Sequence, residues 1–175
     1  MNEAPFIKGN RVKLRQPIER DVVDYLNVQE SQELVRMYGG DTGNLQPKTI
    51  ETANKFIEAI KASKLEWCIE YDSRFVGQAR LTVSERDHRA RFAIGLFDPS
   101  VWSKGLGTEV TNLVLQYAFE ELRLHRVDLR VLDYNKRAIK CYEKCGFKIE
   151  GIEREGAFIE GNYETDVFMS ILDRE

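Results

Sequence analysis

A ten-residue stretch, VWSKGLGTEV at positions 101–110, contains the residues whose types and spacing most directly suggest chemistry. Gly105 and Gly107 stand two apart before a long apolar helical pattern, and Lys104 stands beside the first of them. Glycines leave the N–H groups at a helix start open to close approach, and no acidic residue from Val101 to Thr108 neutralises the positive end of the helix dipole. This composition suits a phosphate or pyrophosphate group at the helix N-terminus.

The same residues bear on three other interpretations of this stretch. A P-loop is excluded, because the stretch lacks four residues between its first glycine and a Gly-Lys-Ser/Thr. A dinucleotide-binding fingerprint is incomplete, since Val110 stands where a third small residue belongs and repeated strand-helix units do not follow. A helix entry that needs flexible residues and binds nothing explains the glycines as well as a phosphate site does, so both interpretations stay open on the residues alone.

A second stretch, NKRAIKCYEKCGF at positions 135–147, predicts a helix with one distinctive face. Asn135 can cap its start, and Gly146 can end it in the left-handed conformation. Asn135, Ala138 and Tyr142 recur at i, i+3 and i+7 on one face, which spans about 10.5 Å. This face presents an amide, a small residue and a phenol to an extended ligand. The alternative is that Ala138 and Tyr142 only pack the core.

The elements that position these motifs predict an α/β fold with a mixed central sheet of about seven strands and about four helices. Helices are predicted in ERDVVDYLNVQ, in QPKTIETANKFIEAIKAS, from about Gly105 to Leu122 and from Asn135 to Cys145, with a polar loop, YGGDTGN, between the first two. An opening strand or hairpin is predicted in FIKGNRVKLRQP. Further strands are predicted in LEWCIEYD, FVGQARLTVS, RARFAIGLFD, RVDLRVL, FKIEGIERE and YETDVFMSIL. Short turns imply antiparallel neighbours around a single strand-helix-strand unit.

Composition limits the classes of function. The chain has 175 residues, 42% hydrophobic and 31% charged, which is typical of one globular domain spanning 1–175. A net charge of -3 gives no reason to expect nucleic acid or an anionic membrane surface as a partner. No signal-peptide run and no stretch of ~18 apolar residues is present, which predicts a cytoplasmic protein. Cys68, Cys141 and Cys145 are expected to be buried thiols, and no metal site is predicted.

The order of a strand, WSKGLGTEV, NKRAIKCYEKCGF and EGNYETDVFMSIL resembles the GNAT superfamily of N-acetyltransferases. The subgroup with ribosomal-protein N-terminal acetyltransferases and bacterial polyamine acetyltransferases is the most similar. The resemblance covers nearly the whole chain and is strongest from Phe92 to Phe168. It implies a GNAT fold, acetyl-CoA as cosubstrate, and transfer of its acetyl group to a primary amine of a small molecule or a peptide N-terminus.

The resemblance also implies a role for each matching residue. The family's pyrophosphate loop, Arg/Gln-x-x-Gly-x-Gly/Ala, falls on Trp102 to Gly107, where backbone N–H groups would hold the pyrophosphate of coenzyme A. Trp102 departs from the usual Arg or Gln, but the same tryptophan is common in the subgroup, so only a side-chain contact is affected. Asn135 matches an asparagine near the pantetheine arm. The residues implied to bind acetyl-CoA are Leu96, Phe97, Trp102, Ser103, Lys104, Gly105, Leu106, Gly107, Thr108, Asn135 and Ala138.

Acetyl transfer to an amine needs a polarised thioester carbonyl, a proton for the leaving thiolate and a neutral nucleophile. In related enzymes a backbone N–H of the strand before the loop polarises the carbonyl, which here would lie near Leu96 or Phe97. Tyr142 matches the tyrosine proposed to protonate the thiolate, with an ordinary pKa of about 10. The resemblance therefore assigns two of the three requirements.

The base and the acceptor remain unassigned. Glu85, Asp87 and His88 lie in a predicted turn, where charged residues are most often only solvated, and water is an alternative carrier of the amine proton. Arg91 stands where the polyamine subgroup commonly has an acidic residue, so it would repel a polycation if it faces the acceptor, and the alternative is that it points to solvent.

Two other classes of function stay open beside the acetyltransferase. One is a coenzyme-A-binding sensor or scaffold without catalysis. The presence of both Asn135 and Tyr142 favours the enzyme over this alternative. The other is a transferase that uses a larger acyl donor such as succinyl-CoA. A homodimer also stays open.

Overall fold

The computed structural model describes residues 3–29 and 31–175 and confirms an α/β fold with a mixed sheet. The strands of its described residues are β1 (Ile7–Lys8), β2 (Val12–Arg15), β3 (Glu66–Tyr71), β4 (Arg74–Ser84), β5 (Arg89–Leu96), β6 (Arg126–Leu132), β7 (Lys148–Ile159) and β8 (Asn162–Leu172). The α-helices of the same residues are α1 (Arg20–Asn27), α2 (Gln32–Met37), α3 (Ile50–Ala62), α4 (Leu106–Gln116) and α5 (Lys136–Lys144).

The strand order is β1-β2-β3-β4-β5-β6-β8-β7. β5 and β6 run parallel, from Arg89 opposite Arg126 to Arg91 opposite Asp128. The pairs β1–β2, β2–β3, β3–β4, β6–β8 and β7–β8 are antiparallel. Eight strands and five helices in the described chain are close to the predicted seven and four.

Two local differences from the sequence prediction have physical reasons. α2 was not predicted, because its six residues bury only Leu34 and so show no apolar period; its start is capped by Ser31, whose side chain accepts from the Leu34 N–H. The helix predicted to run to Leu122 is α-helical only to Gln116 and continues as a π-helical turn, in which Leu122 N–H donates to Tyr117 O at 3.1 Å.

The described residues divide into two compact units. The first contains the residues up to position 29, Gln46–Leu81 and Ala93–Leu113. Its core includes a cluster of buried side chains around which aromatic rings pack: Ile57, Ile60, Cys68 and Phe75, with Tyr25, Phe56 and Phe97. Asp21 is fully buried in the same unit, where Arg15 donates to both of its carboxylate oxygens at 2.7 and 2.8 Å. This pair satisfies a buried charge that would otherwise be costly.

The second unit contains Ser31–Leu45, Thr82–Phe92 and Val114–Glu175. One face of its strands is apolar and buried, formed by Val127, Leu129 and Val131 of β6 opposite Ile171, Met169 and Val167 of β8. The other face is charged and carries ion pairs between Arg91 and Asp128, Arg126 and Glu150, and Arg130 and Asp166. Because side chains alternate along a strand, β6 and β8 contribute residues to both the apolar face and the charged face.

Among the described residues, Cys68 and Cys145 are buried, Cys141 is partly buried, and none of the three is in a disulfide. The prediction of buried thiols is confirmed for Cys68 and Cys145, whereas Cys141 is less buried than predicted. Within the described chain, no helix has the length and apolar character needed to cross a bilayer.

Candidate active site

The end of β5 and the following loop are fixed to each other in the first unit. Phe97 N–H donates to the carbonyl of Val76 at 2.9 Å, and the Trp102 indole N–H donates to the carbonyl of Leu96 at 2.8 Å. Asp98 accepts from the Ser100 N–H at 2.9 Å at the start of the short 3₁₀ turn Pro99–Val101. Trp102 therefore holds the loop to the strand that precedes it.

The ring of Phe97 is committed to the core of that unit. It lies 5.8 Å from Tyr25, 5.7 Å from Phe56 and 6.0 Å from Phe75 between ring centroids, edge to face in each case. The backbone N–H of Phe97 already donates to the carbonyl of Val76. Phe97 is therefore not the residue whose N–H would polarise the thioester carbonyl, a role that the sequence analysis placed near Leu96 or Phe97.

The loop before α4 contains two left-handed residues. Ser103 has φ 60° and Gly105 has φ 79°. A left-handed conformation costs a non-glycine residue about 1–2 kcal/mol, so the surrounding structure must hold Ser103 in place. Loops with such residues turn successive N–H groups to one side and form concave anion sites. At position 105 the positive φ explains the glycine.

The residue before α4 is a glycine, whereas α2, α3 and α5 are preceded by residues whose side chains cap them. Ser31, Thr49 and Asn135 each accept a hydrogen bond from the first turn of their helix. Gly105, whose carbonyl accepts from Glu109 N–H at 3.1 Å, has no side chain that could do so. A helix start with a glycine at this position has no capping side chain there to compete with a bound group for the first-turn N–H groups. Such an end stabilises an anion.

Two residues that the sequence analysis missed lie in the same unit. A Cβ on Gly77 of β4 would stand 2.0 Å from the carbonyl oxygen of Gly95 of β5, so only glycine permits this close approach. Next to it, the side-chain oxygen of Gln78 is buried without a hydrogen-bond partner among the described residues. A buried acceptor of this kind suits an N–H donor or a water. Spacing gave no signal for either residue.

Asn135 uses both ends of its amide in the second unit. Its Oδ1 accepts from the Ala138 N–H at 3.2 Å, which confirms the predicted cap, and its Nδ2 donates to the carbonyl of Met37 at 3.4 Å. Gly146 ends α5 with φ 94°, also as predicted. The side chains of Asn135 and Ala138 are half-buried. The predicted helix at 135–145 is therefore correct in position and in both ends.

Tyr142 is buried on α5, with its ring edge to face with Phe92 and Phe147. Burial, followed by the neighbouring Cys141, Tyr38 and Cys145, raises the pKa of its phenol above the ordinary value. Its hydroxyl has no hydrogen-bond partner among the described residues. The hydroxyl oxygen is not completely buried, however. The ring packs the core, as one interpretation held, while the hydroxyl keeps its proton and can donate it.

The candidate bases and Arg91 lie on the surface of the second unit. Glu85, Asp87 and His88 are exposed in the β4–β5 turn, where Ser84 donates to Asp87 at 2.8 Å. This arrangement fits the solvated turn that the sequence analysis preferred.

Arg91 is exposed but paired. Its side chain is 57% exposed and its Nε lies 3.1 Å from Oδ1 of Asp128, a nearly buried carboxylate. Arg126 and Arg89 approach the same carboxylate at 3.5 and 3.9 Å. Arg126 is also paired with Glu150, so three arginines meet two carboxylates and the group keeps an excess of one positive charge.

The chain is similar to several known acetyltransferases. A profile of the acetyltransferase (GNAT) domain family matches residues 11–148. The chain is 30% identical over 169 residues to the spermidine N(1)-acetyltransferase of Escherichia coli (strain K12), which is 95% of this chain and 89% of that protein. It is 37% identical over 102 residues to the probable N-acetyltransferase YjcK of Bacillus subtilis (strain 168), which is 58% of this chain and 56% of that protein.

Solved structures show the same fold. The acetyltransferase (GNAT family) from Bacillus anthracis has a TM-score of 0.83 at 20% identity, covering 98% of this chain and 100% of that one. The spermidine N-acetyltransferase from Vibrio cholerae, in complex with CoA and spermine, has a TM-score of 0.75 at 24% identity, covering 94% and 96%.

Proposed function

Because the chain belongs to the acetyltransferase (GNAT) domain family, we propose that it binds acetyl-CoA through the loop before α4 and uses Tyr142 as the acid of acetyl transfer. As a member of that family, the chain is an acetyl-CoA-dependent N-acetyltransferase. The observation that carries the assignment of the loop is the pair of left-handed residues, Ser103 and Gly105, directly before the start of α4. We also propose that residues 1–175 form a single acetyltransferase domain.

In this proposal the N–H groups from Ser103 to Thr108 hold the pyrophosphate, since a helix N-terminus and an anion-binding loop coincide there. The side chain of Trp102 does not replace the arginine or glutamine of the family motif as a ligand contact. Its role is to hold the loop to Leu96 through the indole N–H. The backbone of β5 near Leu96, together with Asn135 and Ala138, contacts the pantetheine arm.

The transfer step assigns one proton to Tyr142. The amine nitrogen attacks the thioester carbonyl carbon, the carbon–sulfur bond breaks, and the Tyr142 hydroxyl gives its proton to the leaving sulfur. The proton of the acylated amine passes to water, and Tyr142 regains a proton from solvent, so the charges balance. A phenol whose pKa is raised by burial remains protonated at neutral pH, as an acid in this step must be.

For the acceptor we propose a primary amine on a small molecule or a peptide N-terminus that carries less positive charge than spermidine. The relatives named spermidine acetyltransferases support an amine acceptor. Arg91 and the excess of cations around Asp128 support the lower charge, because a polycation would meet like charges there.

The experiment is an acceptor screen by mass spectrometry with release of free CoA followed in parallel. The panel contains polyamines, aminoglycosides, amino acids and peptides with free N-termini, each with acetyl-CoA and with succinyl-CoA as donor. We expect acetylation of amines of low charge and poor reaction of spermidine. Acetyl-CoA binding without transfer to any acceptor would indicate a CoA-binding protein, and preference for succinyl-CoA would indicate a different donor.

We further propose a homodimer formed through the β7–β8 hairpin. Four large apolar side chains are exposed on the face that is buried elsewhere in β6 and β8: Ile149 by 53%, Ile152 by 59%, Phe158 by 66% and Tyr163 by 68%. At these exposures they offer about 500 Å² per copy, against about 800 Å² per partner in a stable interface. An area of this size lies within the range of about 300–600 Å² for the largest apolar patch on a typical monomer, and such patches are often functional.

A second copy fits this patch, because a two-fold interface places the same surface of both chains together. Light scattering after gel filtration should give a dimer, and Ile152→Ser with Phe158→Ser should shift it to monomer. Ile50→Ser, at an equally exposed position of α3, serves as the control. A monomer in the unmodified protein would contradict the proposal.

A further inference from the structure

Arg11, which no motif in the sequence singled out, lies against the loop before α4. Its Nη1 donates to the carbonyl oxygen of Lys104 at 2.7 Å, and its Nε donates to Glu109 at 3.1 Å. A Cβ built on Gly105 would stand 3.2 Å from its Nη2. The guanidinium therefore spans the loop from the residue before Gly105 to the first turn of α4.

This contact orients one amide of the loop. In a trans peptide the C=O and the following N–H point in opposite directions. Because Arg11 holds the Lys104 carbonyl on its own side, the N–H of Gly105 is directed to the other side. A charge-assisted hydrogen bond is stronger than a neutral one, so the peptide is held firmly.

The same arginine removes a charge conflict. Glu109 lies in the first turn of α4, where a carboxylate would compete with a bound anion for the helix dipole. Its Oε1 accepts from the backbone N–H groups of Arg11 and Val12 at 2.7 and 3.2 Å, in addition to the contact with the Arg11 side chain. Although burial acts in the opposite direction, these hydrogen bonds lower the pKa of Glu109 overall. The carboxylate is thus neutralised and tied to the β1–β2 hairpin.

From this geometry we infer that Arg11 is a positioning residue for phosphate binding: it orients the Gly105 amide and, through Glu109, keeps the start of α4 available to an anion. The inference rests on the proposed binding of acetyl-CoA by this loop. It assigns to the first hairpin of the chain a part in cofactor affinity and none in the chemical step.

The test is Arg11→Met, which removes the guanidinium and keeps much of the apolar stem. We expect the KM for acetyl-CoA to rise about tenfold with kcat and the acceptor KM unchanged, because the lost interaction concerns binding alone. Arg11→Lys keeps a charge but cannot donate to two partners as the planar guanidinium does. Its KM for acetyl-CoA should therefore lie between that of the unmodified protein and that of Arg11→Met. Lys13→Met is the matched control, since Lys13 is a half-exposed cation on β2 paired with Glu70 at 2.8 Å.

Acetylpantetheine, which lacks the phosphates, separates positioning from general damage. Its kcat/KM should be the same in Arg11→Met and the unmodified protein, whereas a destabilised variant would lose activity with both donors. An acetyl-CoA KM within twofold of the parent in Arg11→Met contradicts the inference. If Arg11→Met does not fold, an acetyl-CoA KM within twofold of the parent in Arg11→Lys contradicts the inference instead. Failure of the unmodified protein to bind CoA in calorimetry would instead overturn the proposed function.

Discussion

The indole N–H of Trp102 donates to the carbonyl oxygen of Leu96 at 2.8 Å, joining the end of β5 to the loop that precedes α4. The residue that departs from the family motif is therefore part of the loop's support. Its side chain fixes the position of backbone groups that we assign to acetyl-CoA.

Trp102→Phe keeps an aromatic ring and removes this hydrogen bond. We expect a loss of about 1 kcal/mol in the free energy of unfolding and a several-fold rise in the KM for acetyl-CoA. Trp67→Phe is a matched control, because the Trp67 indole N–H also donates to a backbone carbonyl, that of Pro5, at 2.7 Å. The control should lose stability without a change in KM. Equal effects of both variants on KM would show that the loop contact has no special role.

Gly107→Val places a β-branched side chain in the first turn of α4. We expect it to weaken acetyl-CoA binding strongly, since the side chain would obstruct approach of the pyrophosphate to the backbone. Calorimetry on the folded variant measures this directly. Gly151→Val is the control, because a Cβ at that position of β7 would meet no atom within 4 Å. Unchanged affinity in Gly107→Val would remove the loop from the site.

Tyr142→Phe retains the ring that packs between Phe92 and Phe147 and removes only the hydroxyl. We expect kcat to fall by at least about 10²-fold, because general acids contribute ~10²- to 10⁴-fold, while acetyl-CoA affinity stays the same. Rapid-mixing measurement of thiol release establishes that chemistry limits the rate. Tyr163→Phe, on the exposed hairpin, is the control. A kcat within roughly threefold of the parent would mean that another group or water supplies the proton.

The same tyrosine predicts a pH effect on stability. Burial raises the pKa of Tyr142 above its unfolded value of about 10, so the folded state binds more protons than the unfolded state above that pH. This contribution is fully present below pH ~10 and is lost as pH rises through the folded pKa. Urea unfolding at increasing alkaline pH should show a smaller loss of stability in Tyr142→Phe. Identical pH profiles of variant and parent would contradict the assigned burial of the phenol.

We expect poor turnover of spermidine, because this polycation would meet the positive charge of Arg91. Arg91→Glu should recover part of it, because the positive surroundings of Asp128 lose one cation and gain an anion. Arg91→Gln should give a smaller gain, which separates charge from shape. The measurement is kcat/KM for spermidine against that for a neutral amine of similar length. Efficient spermidine acetylation by the unmodified protein would count against the prediction.

Elements with long apolar periods or clear end signals could be predicted from the sequence. β6 matches the predicted RVDLRVL, and α5 was predicted with its Asn135 cap and its end at Gly146. In these cases local residue types decide the structure, because caps and alternation act over a few residues. α2 escaped prediction because it buries a single leucine.

The contacts that support the candidate site could not be predicted, because they join distant parts of the chain. Arg11 and Lys104 are 93 positions apart, and nothing near Arg11 in the sequence distinguishes it from neighbouring cations such as Lys13. Asp21 of α1 is likewise fully buried against Arg15, and no local pattern in the sequence indicates that pairing. Such pairings depend on tertiary packing, which periodicity does not report.

The most direct test of the account is a single reaction with purified protein, isotopically labelled acetyl-CoA and the amine panel. Products are identified by mass spectrometry while free CoA is measured in the same sample. We expect a labelled N-acetyl amine and free CoA in equal amounts, with both reduced together in Tyr142→Phe. Binding of acetyl-CoA with no labelled amine from any acceptor, or CoA release that is unaffected in Tyr142→Phe, would contradict it.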